Sequence, residues 1–138
     1  MRLAITAVLV LTGCATLGTG QPYSEDEMMA LAADLTKVSA AAEANLRYGA
    51  PSDALTDDGF LAQSVAHDPG LLKPFGAYTV KATRQGGHVT ILVCSRDGTV
   101  AVLEDAGCTA ALDRHRWKDD PPTPCAFSLD LAQVCSAP

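Results

Sequence analysis

Just past midway along this chain the spacing of apolar residues changes from about 3.6 to two, and that switch limits the fold more than any other feature. Before it, Ser24 and Glu27 form a capping box, Glu25 and Asp26 favour the positive end of a helix dipole, and Gly49 with Pro51 supplies a stop. The pattern predicts a helix over 25–48, in which Met28, Leu31, Leu35, Val38, Ala42 and Leu46 share one stripe at 100° per residue. On the opposite side Ala30, Ala33, Lys37, Ala40 and Ala44 form a row with little bulk. Alanine's helix propensity accounts for such a row, and a close-approach surface for a partner helix is the functional alternative. A shorter helix is expected from Thr56 or Asp57 to about Ala66, with Phe60, Leu61 and Val65 as its apolar contacts. Leu71, Leu72, Pro74 and Phe75 read as a buried connector.

From Tyr78 the alternation of Val80 and Ala82 with Lys81 and Thr83, the turn at Gly86 and Gly87, the run Val89, Ile91, Val93, the turn at Asp97 and Gly98, and Val100 with Val102 predict a β-meander. Two-residue turns would pair Ala82 with Ile91, Val80 with Val93, Val93 with Val102 and Ser95 with Val100. The other face would then carry Leu92, Leu103, Cys94 and Ala101. Thr109 to Leu112 is a candidate fourth strand, and the tail from Cys125 to Cys135 a disulfide-closed flap over the sheet. The expected fold class is therefore α+β: one long and one short N-terminal helix on an antiparallel meander of three or four strands, with two disulfides.

The five cysteines are odd in number until the N-terminus is read. Arg2 precedes a short apolar run from Leu3 to Leu11, too brief for the roughly 20 residues that span a bilayer. Leu11, Thr12, Gly13 and Cys14 end it, and this stretch resembles the lipobox of bacterial lipoproteins; an ordinary secretory signal ending in a cysteine is the alternative. The resemblance implies cleavage before Cys14, a diacylglyceryl group on its thiol and a fatty acyl group, such as palmitate, on its amine. Such chains, at about 0.8 kcal/mol per buried methylene, anchor a protein stably. Ala15 stands where many inner-membrane lipoproteins carry aspartate, so the resemblance implies the outer membrane, facing the periplasm. The organisation expected is a signal peptide over 1–13, a lipidated cysteine and flexible tether over 14–23, and one domain over 24–138. Cys94, Cys108, Cys125 and Cys135 then form two disulfides. Of the three possible pairings, proximity favours Cys94 with Cys108 and Cys125 with Cys135.

Without Arg2, nine Lys and Arg face sixteen Asp and Glu, a net charge of 9 minus 16, or −7, which disfavours nucleic acid as a partner. The charge is uneven: acidic residues dominate 25–58, while 81–118 is slightly basic. A mixed solvated surface explains such runs, and a dock for an acidic partner is the sharper reading. With no CxxC pair and with His67, His88 and His115 in separate elements, no metal site and no cofactor is expected. His115 near Asp113 or Glu104 offers a general base, but no nucleophile motif or phosphate loop accompanies it.

Trp117, with Arg114 and Arg116, is the candidate contact surface beside the row of Ala33, Lys37, Ala40 and Ala44, since Trp and Arg are frequent in binding hot spots. Helices followed by strands behind a lipid anchor resemble the element order of BamE-type outer-membrane lipoproteins. These features lead to the expectation of a non-enzymatic envelope lipoprotein that binds another protein as an assembly or stability factor. The alternatives are a periplasmic inhibitor or ligand-binding module built on Trp117, Arg114 and Arg116, and a small hydrolase using His115. Oligomeric state is left open.

Overall fold

A computed structural model describes residues 22–136. The expected signal peptide, Cys14 and nearly all of the tether lie outside the described residues. Among those described, no helix is long and apolar enough to cross a membrane.

The first helix, α1, spans Glu25–Tyr48, and the Ser24 hydroxyl accepts from the Glu27 amide at 3.2 Å, as the capping box requires. Met28, Leu31, Leu35, Val38 and Ala42 are buried, and Leu46 packs half-buried against the same core. Full burial of a side chain such as Met28, Leu31, Leu35 or Val38 contributes about 1.5–3 kcal/mol. Ser39 and Glu43 are buried beside them, two polar residues that the apolar stripe does not announce. The row Ala30, Ala33, Lys37, Ala40, Ala44 faces solvent, with Lys37 paired to Asp34 at 2.8 Å.

Helix α2 spans Asp57–Ser64, two residues shorter than expected, with Thr56 as its N-cap. Its Phe60 and Leu61, and Val65 just beyond it, enter the core. The connector is a 3-10 helix, Pro69–Phe75, capped by the Asp68 side chain and anchored by buried Phe75.

The sheet is a three-stranded antiparallel meander of β1 (Thr79–Gln85), β2 (His88–Cys94) and β3 (Ala101–Ala106), in the order β1-β2-β3. Ala82 faces Ile91 and Val80 faces Val93, as the turn at Gly86 and Gly87 predicts; both glycines have positive φ. In the second hairpin Ser95 donates its amide to the Val100 carbonyl and Cys94 faces Ala101, but Val93 faces Leu103 and not Val102. A β-bulge makes Val102 an extra residue on β3. Both Val102 and Leu103 therefore join the helix-facing core, and Glu104, not Leu103, lies opposite Leu92 on the second face.

Thr109 to Leu112 do not form a fourth strand. The Thr109 hydroxyl donates to the Ala111 carbonyl at 2.6 Å and lies 3.1 Å from Asp113 Oδ2, folding this segment back as a turn. Isolated bridges of Glu104 with Arg114 and of Val100 with Pro124 occupy the outer edge of β3 instead.

The disulfides are Cys94–Cys125 and Cys108–Cys135, so the pairing by proximity is overturned. Cys94 lies opposite the start of β3 and Cys108 two residues past its end, about 20 Å apart at 3.3 Å per strand residue. A disulfide needs Cα atoms roughly 4.4–6.8 Å apart. The tail instead runs the length of the sheet. It meets Cys94 at one end through Cys125 and Cys108 at the other through Cys135, after the short helix α3 (Leu131–Val134). Loops of this length are worth about 3.5 kcal/mol each in the chain-entropy model.

Asp105 is fully buried on the core side, opposite Ile91, and neither of its oxygens has a well-formed hydrogen bond. Burial pushes its carboxyl up to about 6, Ser39 acting against the shift and the charge of Asp113 adding to it. Between the ordinary value and about 6 the folded chain holds a proton that the unfolded chain has released. The contribution to stability is thus greatest at low pH and is lost as pH rises through about 6. Allowing for solvent screening, it amounts to about 1–2 kcal/mol. Asp105→Asn should raise stability in urea titrations by that amount at pH 7.5, with the difference vanishing near pH 4; no gain at pH 7.5 would contradict this account.

Candidate binding cleft beside Trp117

Three of the residues that the sequence groups together, Glu104, Arg116 and Trp117, are buried. Glu104 is 0% exposed and Arg116 4% exposed, joined through Arg116 Nη1 and Glu104 Oε2 at 2.9 Å. Glu104 also accepts from the Ser128 amide and hydroxyl, both at 2.7 Å, and from the Leu129 amide at 2.9 Å. The guanidinium donates further to the Thr123 hydroxyl and to the carbonyls of Ala126 and Pro124. With its donors aimed at these groups, Arg116 pins the tail to the sheet, and it also lines the cleft beside Trp117. Glu104 is equally committed, and Asp113 accepts from the Ala106 amide. Among the described residues neither carboxylate is hydrogen-bonded to the His115 ring, so the general-base arrangement is not assembled.

The basic stretch is likewise answered within the chain. Lys118 reaches Glu25 at 3.1 Å, Arg84 reaches Asp57 at 3.2 Å, and half-exposed Arg114 lies 3.5 Å from Asp119. Two of these pairs, Lys118 with Glu25 and Arg84 with Asp57, join the basic stretch to the acidic helices.

Trp117 sits in a short 3-10 helix, Arg116–Lys118, with the Lys118 ammonium 4.8 Å from its ring centroid. Beside it opens a cleft of about 370 Å³, within the range of ligand pockets. Pro22, Tyr23, Val100 and Pro122 give it apolar walls with Trp117, and Asp97, Asp119 and Asp120 also line it. Tyr23 stacks obliquely on Tyr78, ring centroids 6.4 Å apart. Hydrogen bonds from Ser95 and Thr99 hold the Asp97 carboxyl below its ordinary value, so it stays ionised. Burial, then the charge of Asp97, pushes the Tyr23 phenol up and keeps it neutral. Asp119 is shared with Arg114, Thr123 and Arg116, the last of which also lines the cleft. The arrangement suits a group that is apolar along its length and cationic at its tip.

Sequence reasoning singled out Trp117 but missed Tyr23, Asp97 and Asp120 as its neighbours. Asp97 reads as a turn residue and Tyr23 as part of the tether, and no local spacing links them. His88 reads in the sequence as a surface residue beside the turn at Gly86 and Gly87. The structure places one of its ring nitrogens within 4.8 Å of the Cys108 and Cys135 sulfurs, at the far end of the sheet. No family model, no curated protein and no solved structure matches the chain.

Arg116→Met with Glu104 retained leaves an uncompensated buried carboxylate and should cost about 3–5 kcal/mol in chemical denaturation. The double variant Glu104→Leu, Arg116→Met should recover only part of that loss, because the lone buried charge is gone while the Ser128, Leu129, Ala126 and Pro124 backbone groups still lose their partners. Equal losses in the single and double variants would show that the charge is not what matters.

Proposed function

We propose that this chain is a lipid-anchored envelope lipoprotein that acts by protein–protein recognition, holding a basic and apolar segment of a partner in the cleft beside Trp117. The observation that carries the reading is the cleft itself. Aromatic and proline walls meet Asp97 and Asp120, with Asp119 already paired to Arg114 and Arg116, in a chain whose net charge is negative. A lysine or arginine side chain presents a long apolar stem and a charged head, which matches walls and rim together. Anchorage at Cys14 on the periplasmic face of the outer membrane is supported by the lipobox-like stretch and the short apolar leader. Because Pro22 and Tyr23 line the cleft, a tether over 14–23 enters the domain at this point, and an anchored domain carries its cleft next to the tether.

The exposed row of Ala33, Lys37, Ala40 and Ala44 has nothing in the structure that indicates what covers it, so the cleft is the preferred contact surface. The two are separable by mutation. The tagged protein should be cross-linked lightly in the native envelope, solubilised in mild detergent, and its co-purifying partner quantified. Asp120→Lys and Tyr23→Ser, both peripheral to the core, should each reduce recovery about ten-fold, or ~1.4 kcal/mol, whereas Ala33→Glu and Ala40→Glu should leave it unchanged. The reverse result would move the interface to the helix. Absence of any near-stoichiometric partner would remove the assembly-factor reading altogether.

A further inference from the structure

The end of the sheet remote from the cleft holds a second group of chemically capable side chains. Cys108 and Cys135 are half-buried, Cys135 lines an open cavity of about 330 Å³ with His88, Gly86 and Leu131, and a His88 ring nitrogen lies within 4.8 Å of both sulfurs. The imidazole is held by its Nδ1, 2.7 Å from the Oε1 of buried Glu43 on α1. That carboxylate also accepts from the Val89 amide at 3.1 Å and from Arg47 at 2.9 Å. A carboxylate thus holds the imidazole, and the disulfide lies beside the ring at a separation that one water can bridge for proton transfer. Cys94–Cys125 differs on the first of these counts, since Cys94 is 0% exposed in its own small apolar cluster with Leu92 and Ala101.

We propose that Cys108–Cys135 is a thiol–disulfide exchange site for a dithiol protein, with His88 as its proton-transfer group and Glu43 as the residue that positions it. The partner's thiolate attacks the sulfur of Cys135, an S–S bond forms between them, and the Cys108–Cys135 bond breaks with its electron pair leaving on Cys108. His88 gives that thiolate a proton. The partner's second thiolate then attacks the mixed disulfide, releasing Cys135 as a thiolate that takes a proton from solvent. His88 recovers its proton from solvent, the partner leaves as a disulfide, and this chain has gained two electrons and two protons. Rates of such exchange depend on how readily the leaving sulfur is stabilised and on access to the attacked one. The neighbouring imidazole supplies the first and the open cavity the second. Because Cys135 directly follows α3, opening this bond frees the last part of the tail, while Cys94–Cys125 and the Glu104–Arg116 pair keep its beginning in place.

The oxidised protein should be exposed to limiting dithiothreitol between pH 6 and 8.5, quenched with iodoacetamide, and each cysteine's labelling followed by peptide mass spectrometry. Cys108 and Cys135 should become labelled at least ten times faster than Cys94 and Cys125. After division by the reagent's thiolate fraction, the rate for Cys108–Cys135 should rise as pH falls. The charged groups set against His88 are Glu43 and, through it, Arg47. His88→Gln should flatten this rise and slow opening near pH 6.5 by five-fold or more, and Glu43→Gln should weaken it while leaving some. Circular dichroism checks that both variants fold. Equal labelling of the two disulfides, or an unchanged pH profile in folded His88→Gln, would overturn the proposal; if His88→Gln does not fold, the Glu43→Gln profile decides it in the same way.

Discussion

The position of the C-terminal tail depends on the ion pair between Glu104 and Arg116. Segment 119–130 is rich in proline and aspartate and has few side chains that can be buried, so the hydrophobic effect gives it little reason to lie on the sheet. What holds it is polar. Burying two charges costs several kcal/mol per ion, and the arrangement is sustained because each charge also meets backbone and hydroxyl groups of the tail. Those tail groups would otherwise be without partners on a covered sheet face. The pair therefore contributes location more than net stability, and the two disulfides supply the stability that a tail of this composition lacks.

The bulge at Val102 is what brings this pair together. In the unbulged register Glu104 would face Ile91 and the helix core, and Leu103 would face the polar tail. One extra residue on β3 exchanges them, so that Leu103 joins Val93 and Val102 in the core and Glu104 turns toward Arg116. It also sends Asp105 into the core side, where no good partner awaits it and its proton is held toward neutral pH. A device that places one carboxylate well has thus placed the next one badly.

This explains how far the sequence could be read. The capping box, the stripe from Met28 to Ala42 and the glycine turn between β1 and β2 are local signals, and each is found where the spacing puts it. The α+β class follows from them. The slip at Val102 is not local, because the second hairpin is apolar on both faces and either register buries valine and leucine. The disulfide pairing is set by the path of a tail whose anchor, Glu104 with Arg116, depends on that slip, so nearness in sequence misleads. The expected fourth strand fails for a smaller reason, the capacity of the Thr109 hydroxyl to bond its own neighbourhood. Of the candidate site residues, Trp117 was found by its type, whereas Tyr23 and Asp97 come to it from remote parts of the chain.

Glu43 does on the helix face what Glu104 does on the other. Val89 lies one residue beyond the last pair of β2 with β3, Thr90 with Ala106, and its amide donates to the Glu43 carboxylate. Helix and strand can approach this closely because residue 107 is glycine: a Cβ there would come within 2.8 Å of Glu43 Cβ, the Ser39 carbonyl and a Val89 methyl. Each glutamate takes a backbone N–H that the ladder does not use, and each is neutralised by an arginine from a separate turn of chain or helix. Apolar contact alone would let α1 slide along the sheet and the tail lift from it, since van der Waals surfaces tolerate small shifts better than directed hydrogen bonds do. Two buried carboxylates remove that freedom, one on each side of β2. The same rigidity fixes the strand ends that carry the cleft beside Trp117 and the His88 ring beside Cys108–Cys135.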